Sequence, residues 1–167
     1  MTRKYATTLE NNITKFVRSF GVKRSLYSEE DSFTYWEGPN VITFDIMWHY
    51  ENDLLIDFID DKYGTNIRPW FFVFCVLHEI GHHKTLHLLT EEDRYNEKML
   101  RAIANVQGLD NTDTLYFNLP AEILATEWAL AYIEEHLAEC WKFNNKCLKI
   151  LAHIYNKKSF KKFEKTY

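Results

Sequence analysis

Residues 69–88 read Pro69-Trp70-Phe71-Phe72-Val73-Phe74-Cys75-Val76-Leu77-His78-Glu79-Ile80-Gly81-His82-His83-Lys84-Thr85-Leu86-His87-Leu88. Proline is welcome in the first turn of a helix, where its missing N–H costs nothing. A helix is therefore predicted from about Pro69 to Leu88. Its first half is apolar on every side, and a helix without a polar face belongs in the interior. It is expected to run through the middle of the fold. The unbroken apolar run Trp70–Leu77 is far too short to span a bilayer, which takes about 20 residues.

The second half of this helix carries chemistry. His78-Glu79-Ile80-Gly81-His82 matches H-E-x-x-H. Residues four apart share a helix face, so both imidazoles can point at one ion. Glu79 can reach a water on that ion without binding the ion itself. Zinc would acidify the water and the carboxylate would take its proton. With seven His and fifteen Glu in 167 residues, random placement yields this pattern about 0.03 times, so chance is a poor account of it.

A catalytic zinc needs a third protein ligand and one open position. A histidine six residues beyond His82 would complete a metzincin pattern, but that position is Leu88, and His87 is out of phase. His136 and His153 lie in no recognisable motif. Downstream stands Leu119-Pro120-Ala121-Glu122-Ile123-Leu124-Ala125-Thr126-Glu127-Trp128-Ala129. Pro120 opens a helix here, with Glu122 in its first turn. Ala125 and Ala129 are small enough to let it pack closely on the motif helix. Glu127 points about 140° away from Glu122 on an ideal helix, so the two do not share an ion. Glu122 is the preferred third ligand and Glu127 its rival.

The two segments together, His78–His82 and Glu122-x-x-Ala125-x-x-Trp128-Ala129, resemble the ImmA/IrrE family of zinc peptidases. More broadly they resemble the gluzincins, which take two ligands from H-E-x-x-H and a glutamate from a later helix. The likeness covers roughly residues 70–132. It implies a zincin-like fold, Zn²⁺ on His78, His82 and Glu122, and Glu79 as the base. It further implies a regulatory protein substrate inside the cell, such as a repressor of a phage or mobile element. The family's second motif is similar to E-x-E-A-[ND]-x-F-A, and this chain departs from it twice. Leu124 stands for the second glutamate and Thr126 for the Asn or Asp. Thr126 can still take a hydrogen bond from a histidine, but it brings no charge, so weaker metal binding is expected.

Elements on either side follow from periodicity. Leu9, Ile13, Phe16, Val17 and Phe20 recur at helical spacing, and Gly21 suits the stop, so a first helix is predicted over Tyr5–Phe20. Phe33–Trp36 and the alternating Ile42, Phe44, Ile46 and Trp48 read as strands around a Glu37–Asn40 turn. Leu54–Ile59 reads as a third strand, although Leu54, Leu55, Phe58 and Ile59 fit a helix equally well. Thr90 reads as the N-cap of a helix that Gly108 would end. A polar loop follows, then a helix from Ala121 to about Leu137, and the chain is helical again to about Tyr155. The expected architecture is α+β: one mostly helical domain, residues 1–167, with a small antiparallel sheet packed on the H-E-x-x-H helix.

Composition closes off several function classes. The net charge is −4, and hydrophobic residues make up 46% of the chain, which suits a packed core and not disorder. No basic surface for nucleic acid is expected except the tail from about Lys157, which holds five lysines against one glutamate. Three cysteines, Cys75, Cys140 and Cys147, are odd in number and lack a CxxC pair. Cys75 reads as core. Cys140 and Cys147 stand seven apart on a predicted helix and could face the same way. The cysteine usage fits a reducing compartment. The N-terminus has no apolar leader, so a cytoplasmic protein is expected. The preferred activity is a zinc endopeptidase on a protein or peptide, and the alternative is a binding or regulatory protein on the same scaffold. His83, His87, Tyr95, Tyr116 and Tyr132 are candidates for polarising a substrate carbonyl. His49 reads as structural or exposed.

Overall fold

A computed structural model describes residues 2–28, 33–45, 53–107 and 116–163. Helix α1 spans Thr2–Arg18, with Leu9, Ile13 and Val17 fully buried on one face. Its end is fixed by Gly21, whose φ of 94° suits only glycine without strain. The Gly21 N–H donates to the Arg18 carbonyl, and the Val22 N–H reaches back to the Val17 carbonyl. That pair of bonds is a Schellman stop, closed by buried Val17 against buried Val22.

Strands β1 (Arg24–Tyr27), β2 (Thr34–Trp36) and β3 (Val41–Phe44) form one sheet in the order β1-β3-β2. β2 and β3 are an antiparallel hairpin, as their turn residues predict, and Asn40 takes the left-handed conformation at φ 54°. β1 was not predicted, and it lies parallel to β3, so the sheet is mixed and not antiparallel. The reason is α1. The Ser25 N–H donates to Thr14 Oγ1 at 2.9 Å and the Tyr27 N–H to Glu10 Oε2 at 3.1 Å. The helix thus closes the outer edge of a strand with little apolar alternation of its own. Ile46, Trp48 and His49 lie outside the described residues.

The expected third strand is a helix, α2 (Asp53–Tyr63). Leu55, Ile56 and Ile59 are its buried face, while Leu54 is 86% exposed. A run this short satisfies both periods, and three-dimensional packing decides between them. Asp60 ties the following loop, accepting from Thr65 Oγ1 and from the Ile67 N–H.

Helix α3 (Phe71–Thr85) follows a 3-10 turn at Arg68–Trp70. Every residue from Phe71 to Gly81 is buried, as its apolar first half requires. No side chain of its own caps the N-terminus. Asn144, from the last helix, does this instead: its Oδ1 accepts from the Val73 N–H and its Nδ2 donates to the Pro69 carbonyl. Helix α4 (Glu91–Gln107) begins at a reciprocal cap, the Thr90 N–H on Asp93 Oδ2 and the Asp93 N–H on Thr90 Oγ1.

Helices α5 (Pro120–Glu135) and α6 (Leu137–Phe163) complete the chain. One connected core joins α1, the sheet, α2, α3, α5 and α6. Phe16 and Phe143 stack at 4.0 Å inside it. Truncating a core side chain such as Leu77 is worth about 2–5 kcal/mol. Cys75, Cys140 and Cys147 are free thiols and all buried; the sequence predicts this for Cys75. No described helix is long and apolar enough to cross a membrane.

Candidate metal centre

α3 and α5 lie against each other at two small residues. A Cβ built on Gly81 would sit 2.5 Å from the Ala125 carbonyl oxygen, so only glycine fits there. This intimacy brings the first turn of α5 onto the motif face of α3. Glu122 Oε2 lies 3.0 Å from His78 Nε2 and 3.4 Å from His82 Nε2. The two imidazoles stand edge to face, 4.8 Å between centroids. One turn further along α5, Thr126 Oγ1 meets His78 Nδ1 at 3.2 Å. Both nitrogens of His78 are thereby oriented, one toward Glu122 and one toward the threonine.

Glu79 completes the group. Ligand atoms of His78, Glu79 and His82 all fall within 4.8 Å of one another, so these three residues can hold a metal ion. The Tyr35 N–H, on the edge of β2 away from β3, donates to Glu79 Oε2 at 2.6 Å. Glu79 is 6% exposed and Glu122 3%. Two carboxylates buried this deeply are costly unless cations or donors compensate them. The nitrogen and oxygen donor set also suits a borderline cation such as zinc.

Electrostatics separate the two carboxylates. Burial raises the Glu79 carboxyl above its ordinary value and Glu122 adds to this, although His82 and His78 partly oppose it. Burial would raise Glu122 too, but hydrogen bonds from His78 and His82 outweigh it and hold that carboxyl well below the usual range. Burial would lower His82, yet its bond to Glu122 and the nearby charge of Glu79 leave it raised. The two carboxyls are thus shifted in opposite directions, Glu122 down and Glu79 up.

Two further residues reach Glu122. Arg101 of α4 pairs with Glu97 at 2.7 Å and lies 3.9 Å from Glu122 Oε1. Its guanidinium sits 5.2 Å from the ring centre of Tyr116. Burial first, then the charge of Glu122 and a hydrogen bond to it, raise the Tyr116 phenol above its ordinary value. Of the five residues considered for polarising a carbonyl, Tyr116 is therefore the one the fold brings to Glu122. His83 turns to Tyr35 Oη at 2.8 Å, and His87 is exposed. Tyr95 is 63% exposed. Tyr132 stacks on Trp128 and donates to Glu139.

The rival ligands fall away. Glu127 is exposed on the far side of α5, and His136 and His153 are exposed, against Tyr132 and Tyr5 respectively. Sequence reasoning missed Arg101 and Tyr35. Arg101 stands four residues after Glu97, a common surface pairing, and Tyr35 contributes a backbone N–H that no side-chain motif announces. No family model matches the chain, and no curated protein or solved structure is detectably similar to it.

Proposed function

We propose that this chain is a zinc-dependent peptidase, with His78, His82 and Glu122 as ligands and Glu79 as general base. The observation that carries the reading is the convergence of Glu122 Oε2 on both imidazole Nε2 atoms, with Glu79 beside them. Bound zinc would supply a Lewis acid that polarises a carbonyl and lowers the pKa of a water. Glu79 accepts the proton of the attacking water and hands it to the leaving amine. Burial raises its pKa and so makes the carboxylate a better proton acceptor. The Tyr35 N–H keeps its carboxylate facing the site. Thr126 orients the His78 ring from behind.

The sheet supports a peptide substrate. α1 closes the β1 edge through Glu10 and Thr14, whereas the β2 edge runs beside Glu79. An extended peptide can lie along this edge and pair with its backbone groups other than the Tyr35 N–H, which Glu79 engages. On this reading the fold is zincin-like, of the ImmA/IrrE kind, and the substrate is an intracellular regulatory protein.

Neutral Thr126, in place of a carboxylate or amide, favours one second reading: a binding protein that keeps the metal and does not cleave. Elemental mass spectrometry on wild type, His78→Ala and Glu122→Ala tests the ligand set. One zinc per chain, lost in both variants while they stay folded, is the expected result. Glu79→Gln then separates the readings. Peptide cleavage lost with zinc retained supports the hydrolase, and biological activity retained supports the binding protein.

A further inference from the structure

The fold treats the two carboxylate oxygens of Glu122 differently. Oε2 lies 3.0 Å from His78 Nε2 and 3.4 Å from His82 Nε2, whereas Oε1 faces Arg101 Nη2 at 3.9 Å. A carboxylate can offer a metal one oxygen or both. A catalytic zinc site keeps one position open beside its three protein ligands. A second oxygen from Glu122 would take the place that water needs.

Arg101 is itself held in place. Its Nε and Nη2 both donate to Glu97 Oε1, at 3.1 and 2.7 Å, one turn earlier on α4. Its guanidinium carbon lies 5.2 Å from the centre of the Tyr116 ring, and the Tyr116 phenol is hydrogen-bonded to Glu122. The planar fork is thus fixed along one edge and directs Nη2 between two carboxylates. With Glu97 on one side and Glu122 on the other, its charge is already matched, which argues against an anion site. α4 has little else to fix it. Tyr95, Met99, Ile103 and Val106 are exposed, and among the described residues α4 contributes none to the connected core. Polar ties carry its placement: Arg101 to Glu122, and Arg94 Nη2 to the Leu86 carbonyl at 2.9 Å.

Resting on the ligand set of the peptidase reading, we propose that Arg101 is a positioning residue that ties α4 to Glu122 and holds Oε1 away from the metal, so that Oε2 alone ligates it. The metal site and α4 are then coupled. Metal that fixes Glu122 also fixes α4 through Arg101, and the coupling is reciprocal. Charge and position act in opposite senses here. Removing a cation near a metal would by charge alone strengthen metal binding, so a loss of affinity identifies positioning.

The test compares wild type with Arg101→Met, Arg101→Lys, Glu97→Ala and Glu122→Ala. Zinc affinity is read by competition with a chelator. Ligation is read from the visible spectrum of the cobalt-substituted protein, whose bands weaken when a fifth ligand atom joins four. Arg101→Met should lose about 10- to 100-fold in zinc affinity and weaken the cobalt bands. Arg101→Lys keeps the charge without the fork and should show the same changes to a smaller degree, which also serves if the first variant unfolds. Glu97→Ala acts through Arg101, so its effect should vanish in the Arg101→Met background. Hydrogen exchange in α4 should slow on adding zinc to wild type and not to Arg101→Met. Tighter zinc binding in Arg101→Met would reduce Arg101 to a nearby charge and overturn the proposal, as would additive effects of Glu97→Ala and Arg101→Met. Zinc lost in Glu122→Ala, with both Arg101 variants like wild type in affinity and spectrum, overturns the role of Arg101 and leaves the ligand set standing. Zinc retained in Glu122→Ala overturns the ligand set and the proposal with it.

Discussion

Gly81 and Ala125 are so close that a Cβ on the glycine would lie 2.5 Å from the alanine carbonyl oxygen and 2.8 Å from its Cα. Both atoms belong to the backbone, so neither can swing aside. Gly81 lies between the two candidate histidine ligands, and Ala125 three residues after Glu122. The separation of the helices therefore sets the reach of Glu122 toward both imidazoles.

Gly81→Ala should accordingly force α3 and α5 apart. Overpacking of this sort costs about 1–3 kcal/mol, and here it also carries Glu122 away from His78 and His82. Urea unfolding and zinc content measured together should both fall. Unchanged stability with full zinc retention would show that the contact is soft and that the site does not depend on it.

Thr126 offers a change in the opposite direction. Its hydroxyl meets His78 Nδ1 at 3.2 Å, and a partner at that position tunes a metal-bound imidazole by about 10- to 100-fold in affinity. Thr126→Val should weaken zinc binding by about that factor. Thr126→Asp should strengthen it, since a carboxylate makes the imidazole more basic. Competition with a chelator of known affinity reads both. Identical affinities in all three proteins would remove Thr126 from the site's support.

What the sequence made legible has a physical pattern. The motif helix and its neighbour could be read because helical period and the spacing within H-E-x-x-H are local properties, whereas Glu122, 44 residues from His78, could be singled out only as the preferred one of several candidates. Gly81 and Ala125 then proved to be the small residues that bring the two helices together. β1 was unreadable because its edge is satisfied by Thr14 and Glu10 of α1, more than ten residues away. α2 was ambiguous because a short apolar run fits either period, and burial of Leu55, Ile56 and Ile59 decides for the helix. Arg101 and the Tyr35 N–H reach the site only through tertiary structure.

Asn144 anchors the start of the motif helix from a distance of 71 residues along the chain. It is 1% exposed and makes bonds to both Val73 and Pro69. Asn144→Leu leaves the Val73 N–H and the Pro69 carbonyl without their partner, at a cost of about 1–3 kcal/mol. Denaturant unfolding should show that loss. Zinc content of the folded fraction should be unchanged, because His78 lies further along α3. A variant as stable as wild type would mean that water takes over both bonds.

The three thiols provide a pH-dependent prediction. Burial pushes Cys147 up to about 12, and burial together with Glu139 pushes Cys140 up to about 11. Cys75 is raised well above its ordinary value, by burial and by the charge of Glu79. Unfolded thiols ionise at about 8.5. The folded chain thus binds these protons more tightly than the unfolded chain does. Their contribution to stability is complete below about pH 8.5 and is lost as pH rises toward 11 and 12. The urea midpoint should fall across that window, and less steeply in Cys147→Ala, which separates the thiol from the titrating tyrosines and lysines. At pH 7.5 a disulfide reagent should label the native protein about a thousandfold more slowly than the unfolded chain, in line with typical folding equilibria. Rapid labelling of all three thiols without denaturant would contradict their burial.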